Sequence, residues 1–474
     1  MAPFTISNKY LLFFLLFILN FNCYALNKVE KPNIIFIFAD DLGWGDLSCY
    51  GNWQITTPSL DKLASKGTLF TQFYVAGSVC SPSRSGIMSG QYPARNGIFG
   101  HISSKSKNEE RKMPDALNPN LYMLTDMLKE AGYITAHFGK WHLGNVSPKE
   151  YGIDVFKVDR ASKAEEDARI DIWSANARPT ATKEIFDETF EFIKNQKDKP
   201  FYINAWLSDV HATLNPSKEQ MQRVLDVTGW QWPLKGVPYN SPEQVYFAAL
   251  LEMDKQIGLF LNKIDSMGLS DNTIIIFSSD NGPEEIMINN SRHSGLGSTG
   301  PLRGRKRSIY EGGVRVPFIL SWPGQIPENK INDSSVVNGV DFLPTIATIV
   351  GKDINELVDL DGEDMSDVWL GTDRKRKKAL FWEWRYRVYG HPWNRSPMIA
   401  IRDGDYKLFT NPDKSRIELF NVVQDPAEMM NLETQEPAIV ESLTKKALTW
   451  YSQLPESPIF KGAGRNDWNW PKSQ

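Results

Sequence analysis

The chain alternates apolar runs that have no polar side with stretches that repeat at helical spacing. The segment "KPNIIFIFADD" (31–41) is continuously apolar until it ends in two carboxylates, which suits a strand buried on both faces. "SLDKLASKG" (59–67) predicts a helix with Ser59 as N-cap and Gly67 as stop. "LYMLTDMLKEAG" (121–132) predicts a second amphipathic helix that runs into the strand "YITAHFG". Helices near 182–195 and 241–267 precede the strands "PFYINAWLS" and "NTIIIFSSDNG"; "VRVPFILSW" and the helix-like "VDFLPTIATIVG" follow. Strands alternating with helices predict an α/β fold with a mostly parallel central sheet flanked by helices.

Beyond residue 365 the pattern changes. The basic run "RKRKK" (374–378) reads as a solvated loop. The short strands "ALFWEW", "MIAIRDGDYKLF" and "IELFNV" and a last helix near 436–453 predict a smaller antiparallel sheet with one packing helix. The expected division is a leader at 1–25, an α/β domain at 26–365 and a small α+β domain at 366–474. The leader reading rests on Lys9, the apolar run Leu11 to Phe21, and a cut near Ala25. That run is shorter than the roughly 20 residues needed to span a bilayer, so the chain is expected to be exported, periplasmic or secreted, with no transmembrane anchor. A lipid anchor at Cys23 is the weaker alternative, because Asn22 is a poor fit before it.

Composition narrows the classes. A chain of 474 residues, 41% hydrophobic and with net charge −4, has ample core and no bulk charge for nucleic acid. Its 15 Trp and 16 Tyr suit an aromatic-lined carbohydrate cleft as well as an ordinary core. Of 3 Cys, Cys23 leaves with the leader, and Cys49 and Cys80 remain as a possible pair. Cys80 stands before Ser-Pro-Ser-Arg at the mouth of a predicted helix, where its thiol has four readings: nucleophile, metal ligand, disulfide partner, or a group that does not stay a thiol.

The predicted strands end in chemically useful residues: Asp40-Asp41, Lys140-Trp141-His142, His211 and Asp280-Asn281. In an open parallel sheet these ends share one edge, where ligands bind. Asp40, Asp41, Asp280 and Asn281 form a set of hard oxygen donors suited to Ca²⁺ or Mg²⁺; their carboxylates would repel each other without a cation between them. Solvated strand-end turns are the plain alternative. The stretch "GPLRGRKRSIYEGGVRVP" (300–317) offers backbone N–H groups with Arg303, Lys306 and Arg307 for an anion, or is a solvated surface loop.

These residues together resemble the formylglycine-dependent (type I) sulfatase family of the alkaline phosphatase superfamily, including bacterial polysaccharide sulfatases and N-acetylgalactosamine-6-sulfatase or arylsulfatase-like enzymes. "CSPSR" (80–84) matches the Cys-x-Pro-x-Arg signature, continued by "SGQYPARNG". "DDLGWGDLSCYG", "GKWHLG", "SSDNG" and "RGRKRSIYEGGVRVP" match further blocks in order, over residues 33 to about 345, and "DGDYKLF…ELFNVVQDPAEMMNL" matches the C-terminal part. The resemblance implies an alkaline-phosphatase-like fold with a small C-terminal domain. It implies that a formylglycine-generating or radical maturation enzyme oxidises Cys80 to formylglycine (3-oxoalanine). The hydrated aldehyde then attacks sulfur, and Asp40, Asp41, Asp280 and Asn281, with residue 80, hold Ca²⁺ or Mg²⁺. It further implies His211 as the acid for the leaving oxygen, with Asp280 taking the proton of attack. His142 would be the base for sulfate release, and Lys140, Lys306 and Arg84 the stabilisers of nucleophile and sulfate. One departure is the Gly-Arg-Lys-Arg at 304–307, more charged than in many relatives; Arg305 and Arg307 suit a polyanionic substrate or are solvated, with solvation the preferred reading.

The expected substrate is a sulfated polysaccharide or oligosaccharide such as ulvan, carrageenan, fucoidan or a glycosaminoglycan. The block "WEWRYRVYGHPWNRSP" (382–397), with His391 and Arg395, is a candidate substrate-facing segment; Arg292 and His293 are a second candidate pair. A phosphodiesterase or phosphonate hydrolase of the same superfamily, and a non-catalytic carbohydrate-binding relative, are the alternatives.

Overall fold

A computed structural model describes residues 31–160, 163–196, 199–229, 241–288, 291–353 and 359–467. The expected leader and Cys23 lie outside the described residues. In β1 (Asn33–Ala39), Ile34, Phe36 and Phe38 join one hydrophobic core, and Ile35, Ile37 and Ala39 join another on the opposite face. Side chains alternate across a strand, so a strand covered on both sides must be apolar on both faces, as this one is from Ile34 to Ala39.

The remaining strands of the large sheet are β2 (Thr68–Tyr74), β3 (Ile134–Gly139), β4 (Val155–Val158), β5 (Phe201–Trp206), β6 (Thr273–Ser279), β7 (Arg315–Ser321), β8 (Lys330–Asn332) and β9 (Val337–Asn338). Their order is β4-β3-β5-β1-β6-β7-β2-β8, with β9 beside β2. β1 pairs in parallel with β5 and β6, and β3 with β4 and β5. β7 runs antiparallel to both β6 and β2. The helices Ala181–Lys194 and Pro242–Ser266 cover one face, and Cys80–Ser89 and Phe342–Ile349 the other. The fold is thus the mostly parallel, helix-flanked sheet the pattern predicts. Among the described residues no helix is long and apolar enough to cross a membrane.

Three local expectations are corrected. The first helix is Pro58–Ser65, capped by Thr57 rather than Ser59; Pro58 has no N–H to lose at a first helical position, and the Ser59 amide instead donates to Asp254. Gly67 does not stop the helix. It lies against β7, where a Cβ would come within 2.0 Å of the Leu320 carbonyl oxygen. The basic run at 374–378 is not a simple solvated loop: the Arg376 side chain is 5% exposed and grips both oxygens of Asp341, and Arg374 pairs with Glu363 and Asp367.

The second sheet is antiparallel, β10 (Leu380–Glu383), β11 (Ile399–Asp403), β12 (Tyr406–Thr410) and β13 (Glu418–Asn421) in sequence order. The helix Pro437–Ser452 packs on one face through Leu443 and Ala447. Trp382, Ala400 and Phe409 from the other face enter the core of the large sheet. A buried ionic cluster spans the junction: Lys407 Nζ lies 2.8 Å from Glu311, which also pairs with Arg315.

Candidate active site

The carboxyl ends of β1, β3 and β6 lie along one edge, because these strands run parallel through β5 and β1. The chain leaves β1 at Asp40-Asp41, β3 at Lys140 and β6 at Asp280-Asn281. Asp41 and His142 adopt the left-handed backbone conformation, with φ of 63° and 52°, which is costly for such residues and clusters at functional sites. Between these ends sits the helix Cys80–Ser89, every residue of which is buried. Small side chains (Ser81, Ser83, Ser85, Gly86, Ser89) let the helix lie that deep, with Arg84, Ile87 and Met88 fully buried beside them. Cys80 occupies its first turn, where free N–H groups and the helix dipole favour an anion.

Side-chain geometry ties the edge together. Cys80 Sγ lies 3.5 Å from Asp40 Oδ1, and Lys140 Nζ lies 2.6 Å from Asp40 Oδ2. Lys306 Nζ lies 2.5 Å from Asp41 Oδ1, which also accepts from Asn281 Nδ2 at 2.7 Å. Arg84 donates through Nε and Nη2 to Asp280 Oδ2 at 3.1 and 2.7 Å, and through Nη1 to the Lys140 carbonyl. Its guanidinium is stacked against Trp206, 4.8 Å from the ring centre. Arg84 therefore holds Asp280 in place. His211 Nε2 lies 3.7 Å from Asp41 Oδ2. His142 lies further along, its Nε2 3.1 Å from the Ile102 carbonyl.

Three carboxylates (Asp40, Asp41, Asp280) thus meet three cations (Lys140, Lys306, Arg84). The side chains themselves relieve the repulsion that the sequence alone assigns to a metal ion. The case for a cation rests on other atoms. Asp41 Oδ2 and Asn281 Oδ1 are buried without a hydrogen-bond partner, and a buried acceptor left unmatched is costly. One ligand atom each from Asp40, Asp41, Cys80 and His211 lies within 4.8 Å of the others. Hard, inward-facing oxygens fit Ca²⁺ or Mg²⁺.

The electrostatics separate the groups. Burial raises the Asp40 carboxyl, but Lys140, with His211 and Arg84, outweighs it and drives the pKa down to about 2. Burial pushes the Cys80 thiol up to about 12, with Asp280 adding to the effect. A thiol so placed is a poor nucleophile and a poor ligand. Cys49 and Cys80 are both free, so the possible disulfide is not formed. Burial, with Lys140 and Arg84 nearby, holds His142 well below the usual imidazole range. Burial also lowers His211, against the opposing pull of Asp40 and Asp41.

The Sulfatase family model matches residues 32–352. This chain belongs to the sulfatase family. It is a sulfuric ester hydrolase with the alkaline-phosphatase-like fold. A second model, for the C-terminal part of N-sulphoglucosamine sulphohydrolase, matches residues 304–452. Human arylsulfatase A is 30% identical over 460 residues, covering 89% of this chain and 83% of that protein. The N-acetylgalactosamine-6-O-sulfatase of Bacteroides thetaiotaomicron is 27% identical over 510 residues, covering 88% and 92%. Among solved structures, Ps i-CgsB in complex with k-i-k-neocarrahexaose superposes with a TM-score of 0.72 at 23% identity, covering 90% of this chain and 94% of that one; at that identity the likeness speaks for the fold.

The expected substrate-facing residues fall in different places in this sulfatase. His391 is exposed at the start of a short turn and accepts from the Trp393 amide. Arg395 is half-buried and donates to the Gly390 carbonyl. His293 is half-buried in the turn Arg292–Leu296; the Arg292 side chain is outside the described residues. Neither His391, Arg395 nor His293 lines the cleft that opens beside His101. Within 382–397, Trp382 is buried core, while the largely buried Trp384, with Tyr386, Arg387 and Tyr389, lines that cleft. Arg305 and Arg307 are not merely solvated. Arg305 donates to the carbonyls of Glu284, Gly295 and Gly297, and Arg307 grips both oxygens of Glu284.

Sequence reasoning missed three residues at the rim. Trp173 stands 5.4 Å from the His211 ring and 5.6 Å from Lys140 Nζ. Arg178 donates to the His211 carbonyl at 2.6 Å and so fixes that loop. His101 stands 6.4 Å from the His142 ring. Each lies alone in a loop without a motif, so no spacing signal marks it.

Proposed function

We propose that this sulfatase removes sulfate from a sulfated polysaccharide or oligosaccharide, such as ulvan, carrageenan, fucoidan or a glycosaminoglycan, with residue 80 converted to formylglycine. The observation that carries the reading is the placement of Cys80. Its thiol is buried, pushed up to about 12, and set in a helix mouth between carboxylates and lysines. As a thiol it does little there; as a hydrated aldehyde it would present hydroxyls to a bound sulfate. The relatives named for N-acetylgalactosamine-6-O-sulfatase activity and for a neocarrahexaose complex support a sugar substrate.

Formylglycine would supply the attacking hydroxyl, and a Ca²⁺ or Mg²⁺ ion held by Asp40, Asp41, Asp280, Asn281 and residue 80 would supply the charge that favours its ionised form. The work of the remaining residues follows from their geometry. Lys140 and Lys306 present buried ammonium groups to the sulfate oxygens in a water-poor pocket. Arg84 holds Asp280, the proton acceptor for attack, in register. His211 donates from Nδ1 to the Ala212 carbonyl (2.6 Å), which leaves Nε2 to protonate the leaving alcohol oxygen. An entering sulfate anion opposes the burial that lowers this imidazole and so favours its acid form. His142 donates from Nε2 to Ile102, which leaves Nδ1, buried and without a partner, to accept the proton at residue 80 when sulfate departs. The depressed pKa keeps that nitrogen free of a proton.

Charge balance supports the scheme. Three acids and three bases cancel, so a divalent ion would leave the pocket at about +2. A sulfate monoester lowers this to about +1, and the proton given up by the nucleophile stays in the pocket on Asp280, so the site remains cationic enough to hold the anion. Burial also bears on maturation: Cys80 is 2% exposed, so an enzyme that oxidises it must act on the linear "CSPSR" before folding. Export to the periplasm or beyond remains part of the proposal. The test is co-expression with a formylglycine-generating enzyme, mass spectrometry of the residue 80 peptide, and sulfate release from paired aryl sulfate and aryl phosphate esters. The expected result is an aldehyde mass and preference for sulfate. An unmodified thiol in active protein, or preference for phosphate, sinks the reading; the latter points to the phosphodiesterase alternative.

A further inference from the structure

Beside the candidate active site lies a cleft of about 590 Å³, within the size range of ligand sites. It begins at His101, next to the His142 ring, and at Arg307, whose backbone N–H donates to Ser78 two residues before Cys80. Six of its lining residues are cationic (Lys107, Arg111, Arg307, Arg387, Lys461, Arg465), against two carboxylates, Glu110 and Asp467. The whole chain carries −4, so the cleft inverts the sign of the molecule. Among the described residues, no carboxylate pairs with Lys107, Arg111, Arg387 or Lys461. A structural ion-pair network would have placed acids there, as the junction with the small sheet does around Glu311.

The cleft is built rather than incidental. One wall is the segment 460–467. Phe460 N donates to the Arg385 carbonyl at 2.9 Å, and its ring lies 4.9 Å from Tyr386. The Gly464 carbonyl accepts from Asn411 and Arg416 at 3.2 and 3.1 Å. Gly462, at φ 87°, brings the backbone against the Arg387 side chain, where a Cβ would lie 3.3 Å from Cδ. Arg111 is fixed over the Tyr386 ring and donates to the His101 carbonyl at 3.0 Å. Aromatic faces alternating with unpaired cations suit sugar rings that carry several anionic groups.

We propose that this cleft binds further anionic groups of a multiply sulfated glycan while one sulfate occupies the site at residue 80, so that the enzyme selects polyanionic saccharides over singly sulfated ones. The inference rests on the proposed function and names the substrate class for it.

The experiment compares the parent with the double variant Arg387→Ser/Lys461→Ser. Both side chains are exposed, and matching melting temperatures would establish that the variant folds. Two carrageenan-type tetrasaccharides serve as substrates, one with a single sulfate and one with several. The ratio of kcat/KM for the multiply sulfated over the singly sulfated substrate should fall at least tenfold in the double variant, mainly through KM. A ratio within twofold of the parent overturns the inference. A second arm needs no turnover: the multiply sulfated tetrasaccharide is titrated into Cys80→Ala protein at 50 and 200 mM NaCl, with and without the two substitutions. Affinity should fall about tenfold or more on substitution, and its salt dependence should flatten. Equal affinities overturn the inference. Should this arm succeed while the parent releases sulfate from no ester, the proposed function fails and the polyanion site stands.

Discussion

Replacing Lys306 with Met keeps length and removes one charge at the most crowded point of the site. Its ammonium lies 2.5 Å from Asp41 and 3.8 Å from Glu284, with the side chain 5% exposed. At an effective dielectric near 20 the Asp41 pair alone attracts by about 7 kcal/mol, most of it offset by removing both ions from water. Breaking such a pair typically costs about 3–5 kcal/mol, because the remaining charge is stranded. Glu284 retains Arg307, and Asp41 retains Asn281 Nδ2, so Asp41 is the group left short. A divalent ion at Asp41 would replace the lost charge. The variant should therefore melt about 5 °C below the parent in chelator, and much closer to it in millimolar Ca²⁺. It should also bind Ca²⁺ about tenfold more tightly by calorimetry, since a like charge has gone. Activity should move the other way: kcat/KM on an aryl sulfate should drop by about 10²–10³, the usual loss for one donor to a developing anion. A kcat/KM within threefold of the parent would remove Lys306 from sulfate binding. An identical melting deficit with and without Ca²⁺ would remove Asp41 from the metal site.

Other expectations are shorter. Cys80→Ala should abolish sulfate release while leaving the fold intact, as circular dichroism and product assay would show; full activity would falsify the formylglycine scheme. His142→Asn should lower kcat by at least 10² on aryl sulfate, with KM little changed; a rise in KM alone would place His142 in binding. Lys407→Met, which takes from Glu311 its 2.8 Å partner at the junction of the sheets and leaves it Arg315, should cost about 3 kcal/mol in denaturant unfolding; a change below 1 kcal/mol would refute the clasp. Burial pushes the Glu383 carboxyl up to about 7, against Arg385, with the side chain 3% exposed. A raised acid contributes stability below its unfolded value, near 4.5, that is lost as pH rises through 7. Glu383→Gln should therefore gain about 3 kcal/mol on the parent between pH 4.5 and 8; parallel pH–stability curves would contradict this.

Much of this arrangement was legible because strand ends in a parallel sheet must share an edge. Once "NIIFIFA" and "TIIIFSS" are read as strands, Asp40, Asp41, Asp280 and Asn281 are neighbours without any further information. β2 was not legible, since Gln72 and Thr71 interrupt its apolar pattern. Gln72 is buried because Arg402 donates to it at 2.6 Å from the small sheet, a partner 330 residues away that no local window contains. The same limit explains the arginines. Charge runs default to solvent when read one window at a time, yet Arg376 and Arg305 are spent on Asp341 and on carbonyls of the 284–297 loop.

The cleft residues show the limit from the other side. Lys107 and Arg111, Arg387, and Lys461 and Arg465 come from three separate segments, each with an ordinary local charge. Their concentration appears only when the 460–467 segment folds back over Tyr386. A cationic surface of this kind is expensive to assemble, because like charges in one cleft repel when no acid is supplied. Among the described residues no carboxylate pairs with Lys107, Arg111, Arg387 or Lys461, so the compensating anions are left to arrive with a ligand. That deficit, next to a pocket with room for a single sulfate, is why the substrate is expected to carry more than one.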